Sequence, residues 1–217
     1  MSKDLEIRSF KAECRSLDEE SRTIRGLAIP IESRSELLGG EFYETIRSSA
    51  VNEDLISNND IKLYVDHDPS QGTLARSKYG NGSLRLQITD RGLEFETDLP
   101  RTSQGDYLLE GIRRGDFDEM SFAFRIDKDE WQKNEDGTYE RSIISFRMVD
   151  EISCLSQKAA YSATNLSIRS LEDFKQAEKA EEERKQEIIT HLDEKMKEIE
   201  EISKICPKYN KSFSTYN

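Results

Sequence analysis

Histidine is nearly absent from this chain: 217 residues that include 24 serines hold only two, His67 and His191. That scarcity leaves little room for histidine-based metal sites and few choices for an imidazole acid–base group near neutral pH. Cysteine is also scarce. Cys14, Cys154 and Cys206 lie far apart in sequence with no CxxC pair, so a structural zinc site is not expected and the thiols read as reduced. Cys154, in an apolar strand, reads as a small packed residue rather than as a nucleophile. No run of about 18 apolar residues occurs, which excludes a membrane-spanning helix. Met1–Glu6 lacks the apolar core of an export signal, so a cytoplasmic chain is the expectation. A basic surplus is missing too. The net charge is −12, with 32 acidic against 23 basic residues before Leu171 and 12 against 9 from there on. Without a basic stripe, nucleic-acid binding is not expected as the main task.

What is present changes character near Ser170. Up to that point short period-two segments alternate with turns. Thr23–Ile31, Ile61–Val65, Ser83–Ile88, Leu93–Leu99, Met120–Ile126, Tyr139–Phe146 (flanking a turn at Asn134–Gly137 with Trp131) and Val149–Leu155 read as strands. Gly92 suits the hairpin turn that joins two of them. Ser49–Ser57 and Ser103–Arg114 read as helices, the second capped by serine and stopped at Gly115. About seven short strands with a few helices predict a mainly β fold with α: a closed or nearly closed β-barrel surrounded by helices. From Leu171 to Lys204 there is neither Gly nor Pro, and Glu, Lys, Ala and Ile dominate, which predicts a long charged C-terminal helix. Ile189, Leu192, Met196 and Ile199 step 3, 4, 3, a seam of two heptads through which two copies could pair as a homodimer. The expected organisation is an N-terminal segment (1–20), a β-barrel domain (21–170), a helical tail (171–205) and a disordered C-terminus (206–217).

His67 closes the strand Ile61–Val65 where it runs into the turn Asp66-His67-Asp68-Pro69, a place from which a side chain can face a cleft. Ser121 lies between Met120 and Phe122 in an apolar strand; it reads either as a core hydroxyl bonded to a neighbouring carbonyl or as a rigidly held nucleophile. An acid should orient the imidazole. Asp150 and Glu151 are candidates, and because successive strand residues face opposite ways, at most one of them can serve. Asp66 and Asp68 read as surface charges or turn formers.

Taken in order, the segments Ile24-Arg25-Gly26-Leu27-Ala28, Glu41–Ile46, Leu63–Asp68, Gly92–Phe95, Ile112–Gly115, Met120–Phe124 and Glu151-Ile152-Ser153 resemble the caudoviral (HK97-type) prohead maturation proteases, over roughly residues 20 to 168. The resemblance implies a fold like the herpesvirus assemblins. It implies a serine endopeptidase in which Ser121 is nucleophile, His67 general base and Glu151 the third member, with no cofactor. Arg76 is a candidate oxyanion group. The implied substrates are the major capsid protein with its scaffolding segment, and the enzyme itself. The implied setting is the immature capsid inside the host bacterial cytoplasm. The alternative is a non-enzymatic capsid assembly or scaffolding protein that works through its helical tail. That reading has no use for His67 beside Ser121, so their separation discriminates the two.

Overall fold

The computed structural model describes residues 5–11, 14–17, 20–156 and 165–205. The chain divides into two compact units, Met1–Arg169 and Ser170–Asn217. Among the described residues the first unit holds eleven strands: β1 (Glu6–Lys11), β2 (Arg15–Ser16), β3 (Thr23–Pro30), β4 (Phe42–Ile46), β5 (Asp60–Val65), β6 (Ala75–Lys78), β7 (Asn81–Gly82), β8 (Arg85–Thr89), β9 (Gly92–Asp98), β10 (Glu119–Lys133) and β11 (Tyr139–Leu155). They form a sheet in the order β1-β10-β11-β5-β6-β7, with β4 also paired to β11, and a second sheet in the order β2-β3-β9-β8. Among the described residues no closed barrel is found. The expectation of short strands also needs correction: β10 and β11 are long antiparallel partners whose ladder shifts register at Ala123/Phe124, Arg125/Ile126 and Lys128. These shifts interrupt the period-two pattern, so in sequence one strand looks like two.

Alternation explains where the other strands bury their faces. Ile61, Leu63 and Val65 of β5 and Leu93, Phe95 and Thr97 of β9 point into the core. At Gly92, φ is +135° and a Cβ would meet the Ile29 carbonyl oxygen at 2.0 Å, so only glycine fits that hairpin. Helix α1 (Glu53–Ser57) is short, and α2 (Ser103–Arg114) matches the predicted span. Its cap is Thr102 rather than Ser103: the Thr102 side chain accepts from the Gly105 N–H. Arg113 and Arg114 in its last turn oppose the helix dipole, and Gly115 ends it at φ 79°.

Strand β1, within the N-terminal segment expected over 1–20, is a sheet edge held by charge. Arg8 sends Nε to Glu44 Oε1 at 2.7 Å and Nη2 to Glu6 Oε2 at 2.8 Å. Arg141 of β11 reaches Glu6 and Glu44 at 2.9–3.0 Å and Asp129 at 2.7 Å. Glu6, Arg8, Glu44 and Arg141 are all buried. Burial pushes the Glu6 carboxyl up, but the Arg141 hydrogen bond and the Arg8 and Arg141 charges more than reverse this and hold it below its ordinary 4.5.

The second unit is described through α3 (Asn165–Ile205), which begins before the unit boundary. The seam residues Ile189, Leu192, Met196 and Ile199 are exposed on it. No helix among the described residues is long and apolar enough to cross a membrane. The expected disorder of 206–217 lies outside the described residues.

Removing Arg141 leaves the buried carboxylates of Glu6 and Glu44 to share the single guanidinium of Arg8, so Arg141→Met should destabilise the fold by about 3–5 kcal/mol, read from urea unfolding at neutral pH. The sign of the Glu6 contribution follows from its lowered value. It is fully present above 4.5 and is lost as the pH falls through the folded-state value. In the wild type this adds to acid destabilisation, and in Glu6→Gln that increment should vanish.

Candidate active site

Three neighbouring strands meet at one spot. Ser121 of β10 pairs across the ladder with Ser153 of β11, and β11 runs parallel to β5 with Glu151 opposite Lys62 and Ser153 opposite Tyr64. Directly paired residues share a face of the sheet, as do residues two apart on one strand. Ser121, Glu151 and Ser153 therefore lie on the same face.

His67 reaches that face through a turn. After Val65 the chain reverses through Asp66 (φ 50°) and His67 (φ 58°), closed by the Asp68 N–H donating to the Val65 carbonyl at 3.0 Å. Positive φ at both central positions suits Asn-Gly far better than Asp-His. Each such residue costs on the order of 1–3 kcal/mol and persists only where its surroundings enforce it. Here they do. The Asp66 N–H donates to the Cys154 carbonyl at 3.0 Å, and the Asp66 carboxylate accepts from the Ser156 N–H at 2.8 Å and its hydroxyl at 2.7 Å. Asp68 caps the following turn by accepting from Ser70 N–H at 2.9 Å. Sequence reasoning gave Asp66 no structural task beyond the turn; the left-handed Asp-His step is invisible without coordinates.

The turn delivers the imidazole between the two predicted partners. His67 Nε2 lies 2.7 Å from Ser121 Oγ, and His67 Nδ1 contacts Glu151 Oε1. An ionised carboxylate can only accept, so Nδ1 carries the hydrogen and, in the neutral ring, Nε2 is left as an acceptor facing the serine. The second Glu151 oxygen accepts from Ser153 Oγ at 2.9 Å. Asp150 is directed elsewhere, into an ion pair with Arg125. Arg76, on β6, is committed to Asp60, with Nε to Oδ1 at 2.6 Å; that bond, first among several, brings the Asp60 carboxyl down to about 2. His191 sits exposed on α3.

Ser121 has no exposed surface, while the His67 side chain retains 21% of its own. The serine has a second acceptor within reach, the Arg8 carbonyl of β1 at 2.8 Å. One hydroxyl proton cannot serve both. When it points to Arg8, the contact with Nε2 requires that nitrogen to carry hydrogen, and with Nδ1 bonded to Glu151 the ring is then an imidazolium. When the ring is neutral, the proton is free to point at Nε2. The state in which His67 can act as a base is thus the one in which the Ser121 hydroxyl has turned from the Arg8 carbonyl towards Nε2. A cleft of about 560 Å³ runs along β1, lined among others by Arg8, Ser9, Phe10 and Phe122, and does not take in Ser121 or His67.

Cys154 is buried beside Cys14, a thiol distant in sequence. A hydrogen bond with Cys14, then burial, pushes its thiol well above the ordinary value, which keeps it protonated and unreactive. Alkylation of native protein followed by peptide mass spectrometry should find Cys14 and Cys154 unmodified, and both should label in urea.

The model of the family described as caudovirus prohead serine protease matches residues 10–179 of this chain. Among solved structures the chain is similar to the bacteriophage T4 capsid assembly protease, gp21, at 9% identity and a TM-score of 0.39, over 70% of this chain and 96% of that one. No curated protein matches it.

Proposed function

The chain belongs to the caudovirus prohead serine protease family, and from that premise we propose that Ser121, His67 and Glu151 carry out its peptide hydrolysis. The enzyme is a serine protease of phage capsid assembly. The observation that carries the residue assignment is the continuous line of contacts from Ser121 Oγ through both ring nitrogens of His67 to Glu151. A purely structural assembly protein would have no use for that line.

In this reading Ser121 attacks the scissile carbonyl as its proton passes to His67 Nε2. Glu151 holds the Nδ1–H and stabilises the imidazolium that forms. The tetrahedral intermediate collapses, His67 gives the proton to the leaving amine, and water repeats the sequence on the acyl-enzyme. The substrates we assign are the scaffolding part of the capsid protein and the enzyme itself, cut within the assembling prohead in the host cytoplasm. Self-cleavage is expected within or just before the charged tail, where an exposed helix can fray into a cleft.

Co-expression with the capsid protein, followed by fragment masses, tests the assignment. Ser121→Ala and His67→Ala should each lose about 10³-fold or more of the processing rate, because members of such a set act as a unit. Undiminished processing by Ser121→Ala would remove it from the mechanism. Glu151→Gln keeps the shape and loses the charge, and should cost several orders of magnitude. Asp150→Asn should be milder, since it loosens only the pair with Arg125.

A further inference from the structure

Ser153 is fully buried, pairs directly with Ser121 across the β10–β11 ladder and donates its hydroxyl to Glu151 Oε2 at 2.9 Å. The proposed mechanism uses Glu151 through its other oxygen, Oε1, and leaves Ser153 without a task. The terminal torsion of a glutamate side chain is soft and roughly two-fold, so one contact does not fix the plane of its carboxylate. The orientation matters, because an imidazole held from Nδ1 points Nε2 wherever that plane directs it. Glu151 and Ser153 are two apart on one strand and so share a face. The bond between them is built into β11 and depends on no loop. The Glu151 side chain retains only 12% exposure and Ser153 none, so water is poorly placed to take over the hydroxyl's part.

We propose that Ser153 is a positioning residue for this reaction: its hydroxyl fixes the Glu151 carboxylate so that Oε1 holds the His67 Nδ1–H and aims Nε2 at Ser121. The inference rests on the assignment of Ser121, His67 and Glu151 made above. Ser153 does not touch the reacting atoms. It acts on them through two intermediaries, in the order Ser153, Glu151, His67, Ser121. Replacement by alanine removes one oxygen and leaves the fold's backbone ladder untouched. A threonine keeps the oxygen and suits a strand.

Two readouts on the full chain, neither needing the natural substrate, test this. The first is the rate at which diisopropyl fluorophosphate modifies Ser121. In that step an O–P bond forms, the P–F bond breaks, fluoride leaves and the hydroxyl proton passes to His67. The second is the imidazole NMR spectrum of histidine-labelled protein, which is simple because only His67 and His191 contribute. In the wild type, the neutral ring of His67 should show a single tautomer with hydrogen on Nδ1. Ser153→Ala should melt cooperatively, react with the reagent about 10- to 100-fold more slowly, as small misplacements do, and show His67 with mixed tautomers or an exchange-broadened Nδ1–H. Ser153→Thr should restore both signals. A Ser153→Ala protein whose His67 spectrum matches the wild type overturns the inference, whether or not its reaction is slower, since slowing alone would mark a structural effect. Failure of the underlying assignment looks different: Ser121→Ala would still be modified at the wild-type rate, or Glu151→Gln would leave rate and spectrum unchanged.

Discussion

The register of three adjoining strands governs everything at the candidate site. β10, β11 and β5 are hydrogen-bonded side by side, with Ser121 opposite Ser153 and Glu151 opposite Lys62. A slip of one residue between β10 and β11 would turn Ser121 or Glu151 to the opposite face, because side chains alternate with period two. The register shifts in that ladder begin only at Ala123/Phe124, so the stretch carrying Ser121 and Ser153 is regular. On the other face of β10, Phe122 and Phe124 stack at 5.0 Å and Phe124 meets Phe146 at 5.1 Å, which makes the same register costly to leave.

A second constraint is the charged cluster that joins β1 to β4 and β11. Ion pairs in a dry interior contribute little net stability when compared with apolar packing, yet removing one partner is expensive. Such a cluster specifies position more than it strengthens. Glu6 and Arg8 admit one docking of β1 against β10 and β4, and that docking is what sets the Arg8 carbonyl beside Ser121.

How much could be read beforehand differs by element, and the reasons are physical. β5, β8 and β9 alternate cleanly and were legible, as was α2 with its glycine stop. β1 was not, because its inward positions are Glu6 and Arg8, which look like surface until their partners Glu44 and Arg141 are seen 36 and more residues away. β10 and β11 are interrupted by register shifts that carry no residue signature of their own. At the site, the rarity of histidine made His67 conspicuous, and resemblance singled out Ser121 and Glu151 from many serines and acids. Ser153 and Asp66 could not be found that way. Each acts through a hydrogen bond fixed by strand pairing or by a left-handed turn, and neither feature is written in local composition.

Ser121 is wholly covered in this conformation, and that bears on timing. A carbonyl must come within about 3–3.5 Å of a nucleophile before attack, so a polypeptide cannot meet this hydroxyl until the molecule opens. Under the proposed mechanism the turnover seen from outside is the turnover of the opened form multiplied by its population. An opening that costs about 4 kcal/mol would hold the protease roughly a thousandfold below its capacity. Under that mechanism, substitutions that loosen the cover without touching Ser121, His67 or Glu151 would raise turnover with the chemistry unchanged.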